Sequence, residues 1–265
     1  MSLMLFELDR RGLDRVRPLF ASLAPWQPAC AAVLEGGYPG QVYADDARSL
    51  RSALLVTSFS ARGLWCYLAG DPANTRFNEA FNEALSGGEL VGEGVETLLF
   101  ICDPQDWGGQ MPAVLAPLAP HTVQRRHYTC RRIGYDWQAK LPPGYRVAWM
   151  DPVWLERPDI QIPDKAGEIL MRWRSLQGQI EDFGFAALRG DEIVSWATVD
   201  FVPVSGQVGE AGVFTVAAHR RRGLATATAA AAMGHGLDMG LSSVVWTCSK
   251  GNVGSIRTAE RLGME

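Results

Sequence analysis

The sequence predicts a mixed α/β protein of two domains. Strand-like apolar runs alternate with helical segments in both halves of the chain, and a proline-rich stretch interrupts this alternation near the middle. The chain has 265 residues, of which 47% are hydrophobic and 20% charged. That composition is globular, and the length suits one large or two ordinary domains.

The N-terminal half alternates between the two periodicities. Runs such as SALLVTSF and GLWCYLAG are typical of strands, whereas NTRFNEAFNEALSGG has the spacing of an amphipathic helix that ends at paired glycines. The predicted elements are a helix at 13–23, strands at 52–59 and 63–70, a helix at 74–88, and strands at 95–103 and 122–133.

A proline-rich segment without clear period, between about Tyr135 and Pro163, indicates the junction between the domains. We place an N-terminal α/β domain at 1–140 and a C-terminal domain at 141–265.

The C-terminal half has a clearer pattern. GFAALRGDEIVSWATVDF at 184–201 reads as two strands joined at a Gly-Asp turn, and this predicts a hairpin. The other predicted elements are a helix at 165–176, a strand at 209–216, a helix from about 224 to 240, a strand at 241–248 and a short helix at 252–263.

Three arginines directly precede an alanine-rich segment in AAHRRRGLATATAAAAMG, residues 217–234. A strand that leads through a loop into a helix presents unpaired N–H groups and the positive end of the helix dipole, and together they bind anions. Gly223 lacks the side chain that would keep a phosphate from the backbone. The pattern predicts a pyrophosphate site, against the alternative that the arginines are ordinary solvated surface.

Two motifs at this spacing resemble the GNAT superfamily of acyl-CoA-dependent N-acetyltransferases. HRRRGLA resembles the family's Q/R-x-x-G-x-G/A loop, and NVGSIRTAERLGM resembles its later segment that begins N-x-x-S/A. Softer N-terminal similarity extends the resemblance to the two-domain branch that includes the zwittermicin A resistance acetyltransferase. The matching positions are Arg220, Gly223, Ala225, Asn252, Ser255, Leu262 and Gly263.

The resemblance implies a C-terminal GNAT fold, acetyl-CoA as donor and a primary amine of a small molecule as acceptor, acetylated by direct attack. The N-terminal domain is then either a degenerate copy of the same fold or a lid over the acceptor site. The residues implied to contact acetyl-CoA are Phe214, Thr215, Val216, Arg220, Arg221, Arg222, Gly223, Leu224, Ala225, Thr226, Asn252 and Ser255.

Acetyl transfer needs a neutral amine, so a carboxylate beside the acceptor is useful. Glu210 is the candidate base, on the strand face that it shares with Phe214; the alternative is that it only begins a strand at a solvent edge. In the family a backbone N–H near Thr215 or Val216 binds the thioester carbonyl. Ala259 stands where many members carry a tyrosine acid, so the thiolate either leaves unassisted or takes its proton from Cys248 or Ser249 near the end of the adjoining strand.

Charge and cysteine usage exclude other classes. A net charge of −4 argues against a nucleic-acid-binding protein, and no apolar run approaches the roughly 20 residues of a membrane span. Five scattered cysteines without CxxC spacing suit a reducing cytoplasm and no metal site. We expect a monomer or homodimer, and the competing hypothesis is a non-catalytic acyl-CoA sensor.

The sequence ends where the family turns into a final strand. We therefore expect the strand at 241–248 to have an unpaired edge that is covered by the N-terminal domain or a second copy.

Overall fold

The computed structural model describes residues 4–46, 48–60, 62–90, 94–103, 107–176, 182–205 and 207–265. The chain divides into two compact units, Met1–Thr122 (unit 1) and Val123–Glu265 (unit 2). Each unit contains one mixed sheet, which confirms the predicted fold class.

Unit 1 has a five-stranded sheet in the order β1-β2-β3-β4-β5. Its first four strands pair antiparallel, and β5 lies parallel to β4 after a crossover through α3. The strands are β1 Phe6–Glu7, β2 Gln41–Ala44, β3 Ser52–Ser60, β4 Gly63–Gly70 and β5 Thr97–Cys102; the helices are α1 Arg10–Val16, α2 Pro28–Leu34, α3 Thr75–Ser86 and α4 Met111–Val114, with 3-10 turns at Arg17–Phe20, Ala24–Trp26 and Ala116–Leu118.

Unit 2 has a six-stranded sheet in the order β6-β11-β10-β9-β8-β7. The strands β7 to β10 pair antiparallel, and β11 lies parallel to β10 after a crossover through α8. The strands are β6 Arg125–Cys130, β7 Arg146–Met150, β8 Phe183–Arg189, β9 Glu192–Asp200, β10 Val208–Thr215 and β11 Ser243–Ser249; the helices are α5 Trp137–Lys140, α6 Pro152–Leu155, α7 Asp164–Ser175, α8 Leu224–Asp238 and α9 Val253–Arg261, with a 3-10 turn at Ala217–His219.

The two units therefore share one connectivity. In each, a strand and two helices precede three antiparallel strands, and a crossover helix then leads to a parallel strand. This arrangement is that of a repeated fold, as the sequence analysis expects for a degenerate copy.

Helix α8 packs tightly on the sheet because its buried face consists of small residues. Ala229, Ala230 and Ala232 lie in one core cluster with Ala197 of β9 and Val244 of β11. Alanine favours helix and lets the helix axis approach the strands closely. The alanine run thus fixes the position of the α8 N-terminus against the sheet.

The edge of β11 that residues 141–265 leave unpaired is covered by β6, which lies within the predicted N-terminal domain at 1–140 but belongs to unit 2. β11 pairs with β10 on one side and with β6 on the other, where Val244 lies opposite Cys130. Glu265 also exchanges backbone hydrogen bonds with Thr129 of β6. The missing partner comes from residues before the proline-rich stretch, and no exposed edge of β11 is left in the described sheet.

The division between the units falls ahead of the predicted boundary at 140/141. The proline-rich stretch lies inside unit 2, where it forms the edge strand β7 and helix α6. Met150 and Leu155 are buried in the core of that unit. Prolines at 142, 143, 152, 158 and 163 break the periodicity between these elements, so the sequence pattern resembled a linker.

The other predicted elements correspond to observed ones, and the missed ones are short. The elements that are not predicted are β1, β2, α2, α5, α6 and β7, and the helix expected at 13–23 is α1 followed by a 3-10 turn. None of the helices in the described part of the chain combines the length and apolarity needed to cross a bilayer.

Candidate active site

The central feature of unit 2 is an opening between two neighbouring parallel strands. Among the described residues, β10 pairs with β11 from Val208 opposite Ser243 to Glu210 opposite Val245, and the pairing ends there. Beyond Glu210, β10 continues along β9 to Thr215, while β11 continues along β6. The two strands therefore separate towards their carboxyl ends and leave a cleft.

Backbone N–H groups of β10 point into this cleft. Val216 donates its N–H to the carbonyl of Val194 at 2.9 Å, and antiparallel ladders alternate between bonded and outward-facing residues. The N–H groups of Val213 and Thr215 consequently point away from β9, to the side where β11 has moved off. Gln207 faces the same side of β10 as Val213 and Thr215, and its carbonyl accepts the backbone N–H of Ser242 at the start of β11.

The N-terminus of α8 lies at the open end of the cleft. Gly223 is the residue before the helix, with φ 82° and ψ 0°, and it has no side chain to accept a bond from the first-turn N–H groups. Arg221 also adopts a left-handed conformation, with φ 62°. A side chain built at Gly223 would meet no protein atom within 4 Å. The first N–H groups of α8 are thus accessible to an anion.

The three arginines do not act alike. Arg220 folds back onto the strand, where its Nε donates to the carbonyl of Thr215 at 3.0 Å and its Cζ lies 5.9 Å from the centre of the Phe214 ring. Arg221 and Arg222 are exposed beside the α8 N-terminus. Arg221 and Arg222 are therefore free to meet an incoming anion, whereas Arg220 is engaged with the end of β10.

Phe214 forms an aromatic surface at the end of β10. Its ring lies 4.8 Å from that of Trp196 on β9, and Nζ of Lys165 on α7 lies 4.9 Å from its centre. Trp196, Trp173 and Leu170 belong to the core between α7 and the sheet. Helix α7 therefore covers the face of the sheet that carries Phe214.

Glu210 lies on that same face, at the point where β10 and β11 separate. Strand alternation places Gly212 between Glu210 and Phe214, and Gly212 leaves a gap between the two side chains. A Cβ built on Gly212 would lie 3.1 Å from Oγ1 of Thr198 and 3.7 Å from Oδ2 of Asp200. The gap is thus lined by a carboxylate and a hydroxyl of β9.

Burial raises the pKa of Glu210 to about 7. The positive charge of Arg125 and a hydrogen bond from Thr247 oppose the shift, whereas the negative charge of Asp200 adds to it. A carboxyl with this pKa exchanges its proton near neutral pH, as a general base must. Glu210 is half-buried within the sheet, which contradicts the alternative of a strand start at a solvent edge.

The polar residues around Glu210 are not predicted from the sequence. Asp200 on β9, Thr247 on β11 and Arg125 on β6 interact with Glu210. Thr198 on β9, His127 on β6 and Arg172 on α7 contact these residues in turn. Alternating polar residues in SWATVD and in RRHYT are a signal that could have indicated them. The sequence cannot show that β6 joins β11, because this pairing spans more than 110 residues of chain.

Several predicted residues have structural contacts of their own. Asn252 caps α9 by accepting the N–H of Ser255 at 3.1 Å, and Oγ of Ser255 accepts from the indole of Trp246 at 2.8 Å. The side chains of Leu224 and Thr226 are buried, so these residues offer only their backbone N–H groups. Ala225 is half-buried in the same first turn of α8.

His219, directly before the arginines, is buried, and its Nδ1 lies 3.0 Å from the hydroxyl of Tyr145. Ala259, at the position of the family's tyrosine, is fully buried in the core beneath α9.

The repeated mixed sheet, with a parted parallel strand pair beside an uncapped helix, agrees with the GNAT fold that the sequence motifs predict. The GNAT acetyltransferase family model matches residues 17–265, and the chain belongs to this family. Acetyl-CoA-dependent acetyl transfer is the activity that this membership suggests. No curated protein matches the chain.

Solved structures agree with this fold. A GCN5-related N-acetyltransferase-like protein from Streptococcus suis 89/1591 is 23% identical, with a TM-score of 0.64 over 96% of this chain and 94% of its own. A tandem GNAT protein from the clavulanic acid biosynthesis pathway is 12% identical, with a TM-score of 0.60 over 98% and 95%. A GCN5-related N-acetyltransferase from Sphaerobacter thermophilus has the same identity and TM-score over 98% and 92%.

Proposed function

We propose that this protein is an N-acetyltransferase that moves the acetyl group of acetyl-CoA to a primary amine of a small molecule by direct attack. One observation carries the proposal: a carboxyl with its pKa near 7, Glu210, lies where the cleft between β10 and β11 begins. The donor site and the base are thereby adjacent.

The donor's pyrophosphate is bound by the N–H groups from Arg221 through Thr226, with added charge from Arg221 and Arg222. The pantetheine arm runs into the cleft beside β10, where the outward N–H groups of Val213 and Thr215 are available. Of the two residues expected to bind the thioester carbonyl, Thr215 suits the role better, because the N–H of Val216 is engaged by Val194. Phe214 forms a wall next to the acetyl group.

The acceptor enters the gap over Gly212. An alkylamine is protonated at pH 7, and removing the proton costs about 4–5 kcal/mol for a pKa near 10.4. Glu210 takes this proton, and the amine nitrogen attacks the thioester carbon. The nitrogen then loses its second proton to solvent, and the C–S bond breaks with departure of the thiolate. A thiol with a pKa near 8.5 leaves as thiolate and is protonated by solvent, so the chemistry does not depend on a side chain at Ala259.

Calorimetry with acetyl-CoA, followed by a panel of amines with thiol release as the readout, tests the proposal. At neutral pH, Glu210→Gln should lower turnover more than tenfold, and the rate should recover at higher pH as the amine loses its proton unaided. Wild-type kcat/KM should rise through an apparent pKa near 7. Glu260→Gln, an exposed carboxylate on α9, is the matched control. A Glu210→Gln enzyme with wild-type rates at every pH would assign the proton to another group.

A second candidate function is a non-catalytic acyl-CoA sensor, which the alanine at position 259 favours. It predicts acetyl-CoA binding without thiol release for any amine. The relation to the zwittermicin A resistance branch, the cytoplasmic location and the monomeric or homodimeric state are further parts of the proposal. Growth of a zwittermicin A-sensitive host that expresses this protein, measured in the presence of the antibiotic, would test the first of these.

A further inference from the structure

A buried ionic cluster lies at the corner where α7 meets the ends of β8 and β9. Arg172 of α7 forms ion pairs with both Asp182 and Asp200, and these three side chains are 17%, 0% and 11% exposed. Asp182 also accepts the backbone N–H of Phe201 at 2.8 Å. Phe201 has φ 57°, so the turn that ends β9 is held in a left-handed conformation.

Asp200 connects this cluster to the candidate base. It lies directly opposite Glu210 in the β9–β10 register, on the same face of the sheet. Cβ atoms of such a pair are about 5 Å apart. One carboxylate oxygen of Asp200 is held by Arg172, and the other accepts the hydroxyl of Thr198 at 2.6 Å. The Asp200 carboxylate is therefore fixed in place beside Glu210.

We propose that Asp200 and Arg172 are positioning residues for Glu210: Asp200 supplies a fixed negative charge opposite the base, and Arg172 holds that charge and partly balances it. The inference rests on the proposed function only in calling Glu210 the base; the arrangement of charges is a property of the folded protein. Neither residue is among those that the resemblance implies.

Other charged groups also face Glu210. On the opposite side, Thr247 of β11 lies 3.3 Å from Nδ1 of His127, and Arg125 follows on β6. Burial and the charge of Arg125 lower the pKa of His127, so this side supplies one cation, Arg125, at neutral pH. From α7, Lys165 lies over Phe214. Among the described residues, the charged and titratable groups on these packed elements are Asp200, Asp182, Arg172, Arg125, His127 and Lys165, of which Asp200 and Arg125 act directly on Glu210.

The two positioning residues should shift the titration of Glu210 in opposite directions. Asp200→Asn removes the opposing negative charge, so Glu210 ionises more easily. The pH midpoint of the Glu210 titration should therefore fall by about one unit. In Arg172→Met the balancing cation is lost, so the midpoint should rise by a similar amount. Arg172→Lys keeps the charge and should restore the midpoint close to wild type.

The midpoint is measured by NMR of the Glu210 carboxyl carbon in protein labelled with ¹³Cδ-glutamate, assigned by the signal missing in Glu210→Gln. Arg174→Met is the matched control, because Arg174 lies on the same helix but pairs with Glu156 at 2.9 Å. Opposite shifts with an unmoved control support the proposal. Equal shifts in both variants, or none, overturn it and leave the cluster a purely structural link.

The readout needs no acceptor, so it separates this inference from the proposed function. Where Arg172→Met fails to fold, Asp200→Asn still tests the proposal, because a titration midpoint that stays or rises in this variant overturns it. Opposite shifts together with absent turnover would remove the proposed function and leave the positioning effect intact. Turnover that depends on Glu210, together with unchanged titration midpoints, would overturn the positioning effect and leave the proposed function intact.

Discussion

Helix α3 in unit 1 and helix α8 in unit 2 occupy the same place in the repeated topology, each between an antiparallel strand and a parallel one. In unit 1 the flanking strands stay paired from Gly63 opposite Thr97 to Leu68 opposite Cys102, which is the whole length of β5. In unit 2 the pairing ends at Glu210. Only the second pair leaves room for a ligand arm.

The N-termini of the two helices differ as well, because side chains cap α3 but not α8. Asn74 caps α3 by accepting the N–H of Phe77 at 3.3 Å, and Asp71 accepts the N–H of Ala73 at 2.8 Å. Gly223 leaves the equivalent groups of α8 uncapped. In unit 1 the amide oxygen of Asn74 occupies a position that a phosphate would need, and the nearby carboxylate of Asp71 adds negative charge. The connectivity alone therefore does not make the site; strand separation and an uncapped helix do.

The largest expected effect concerns Gly223. Gly223→Val adds a side chain where the pyrophosphate is proposed to bind, so the Kd of CoA in calorimetry should rise at least about 100-fold, near 3 kcal/mol. Gly88→Val in unit 1 is the matched control: Gly88 also has positive φ, 75°, and open space around it. Equal CoA affinities in the two variants would contradict the difference between the units.

The cap of α3 should matter for stability alone. Asn74→Ala leaves the N–H of Phe77 unpaired and removes the amide that donates to Asp45 at 2.8 Å and to Ser52 at 3.1 Å. We expect unfolding free energy to fall by about 2 to 3 kcal/mol, measured by denaturant titration with hydrogen exchange to locate the loss in α3. CoA affinity should not change. A changed affinity would mean that unit 1 contributes to the donor site.

The pKa of Glu210 predicts a pH-dependent stability term. The folded state holds this proton up to about pH 7, whereas the ordinary value is 4.5. The carboxyl therefore costs no stability below pH 4.5, and the cost grows as pH rises to 7. Relative to Glu210→Gln, wild type should lose about 1 to 2 kcal/mol between these values, after allowance for solvent screening. Parallel pH curves of stability would refute the shifted pKa.

The smallest expected effect separates the arginines. Arg221→Ala and Arg222→Ala should each weaken CoA binding about 3- to 10-fold at low salt and less at high salt, since they are exposed. Arg76→Ala, at the second position of α3, is the counterpart in unit 1 and should have no effect. Calorimetric titrations of CoA into the three variants at two salt concentrations measure these differences in affinity. A weakening that is the same at both salt concentrations would exclude charge as its cause.

Local chemistry determined much of this from the sequence alone. The alanine run and Gly223 determine an uncapped helix start, and with the arginines they predict an anion site, because capping and backbone conformation depend on adjacent residues. The hairpin at 184–201 and the strand of Glu210 follow from a period of two. The repeated fold of the two units also agrees with the alternation of strand-like and helical segments in each half of the sequence.

Only the tertiary structure decided how distant segments meet. It placed β6 beside β11 and moved the division between the units ahead of the proline-rich stretch. It also brought Arg172 and Asp200 to Glu210 and raised the pKa of that carboxyl through burial. Register, burial and charge contacts across the sheet depend on residues far apart in the chain, and a local pattern carries no information on which of them become neighbours.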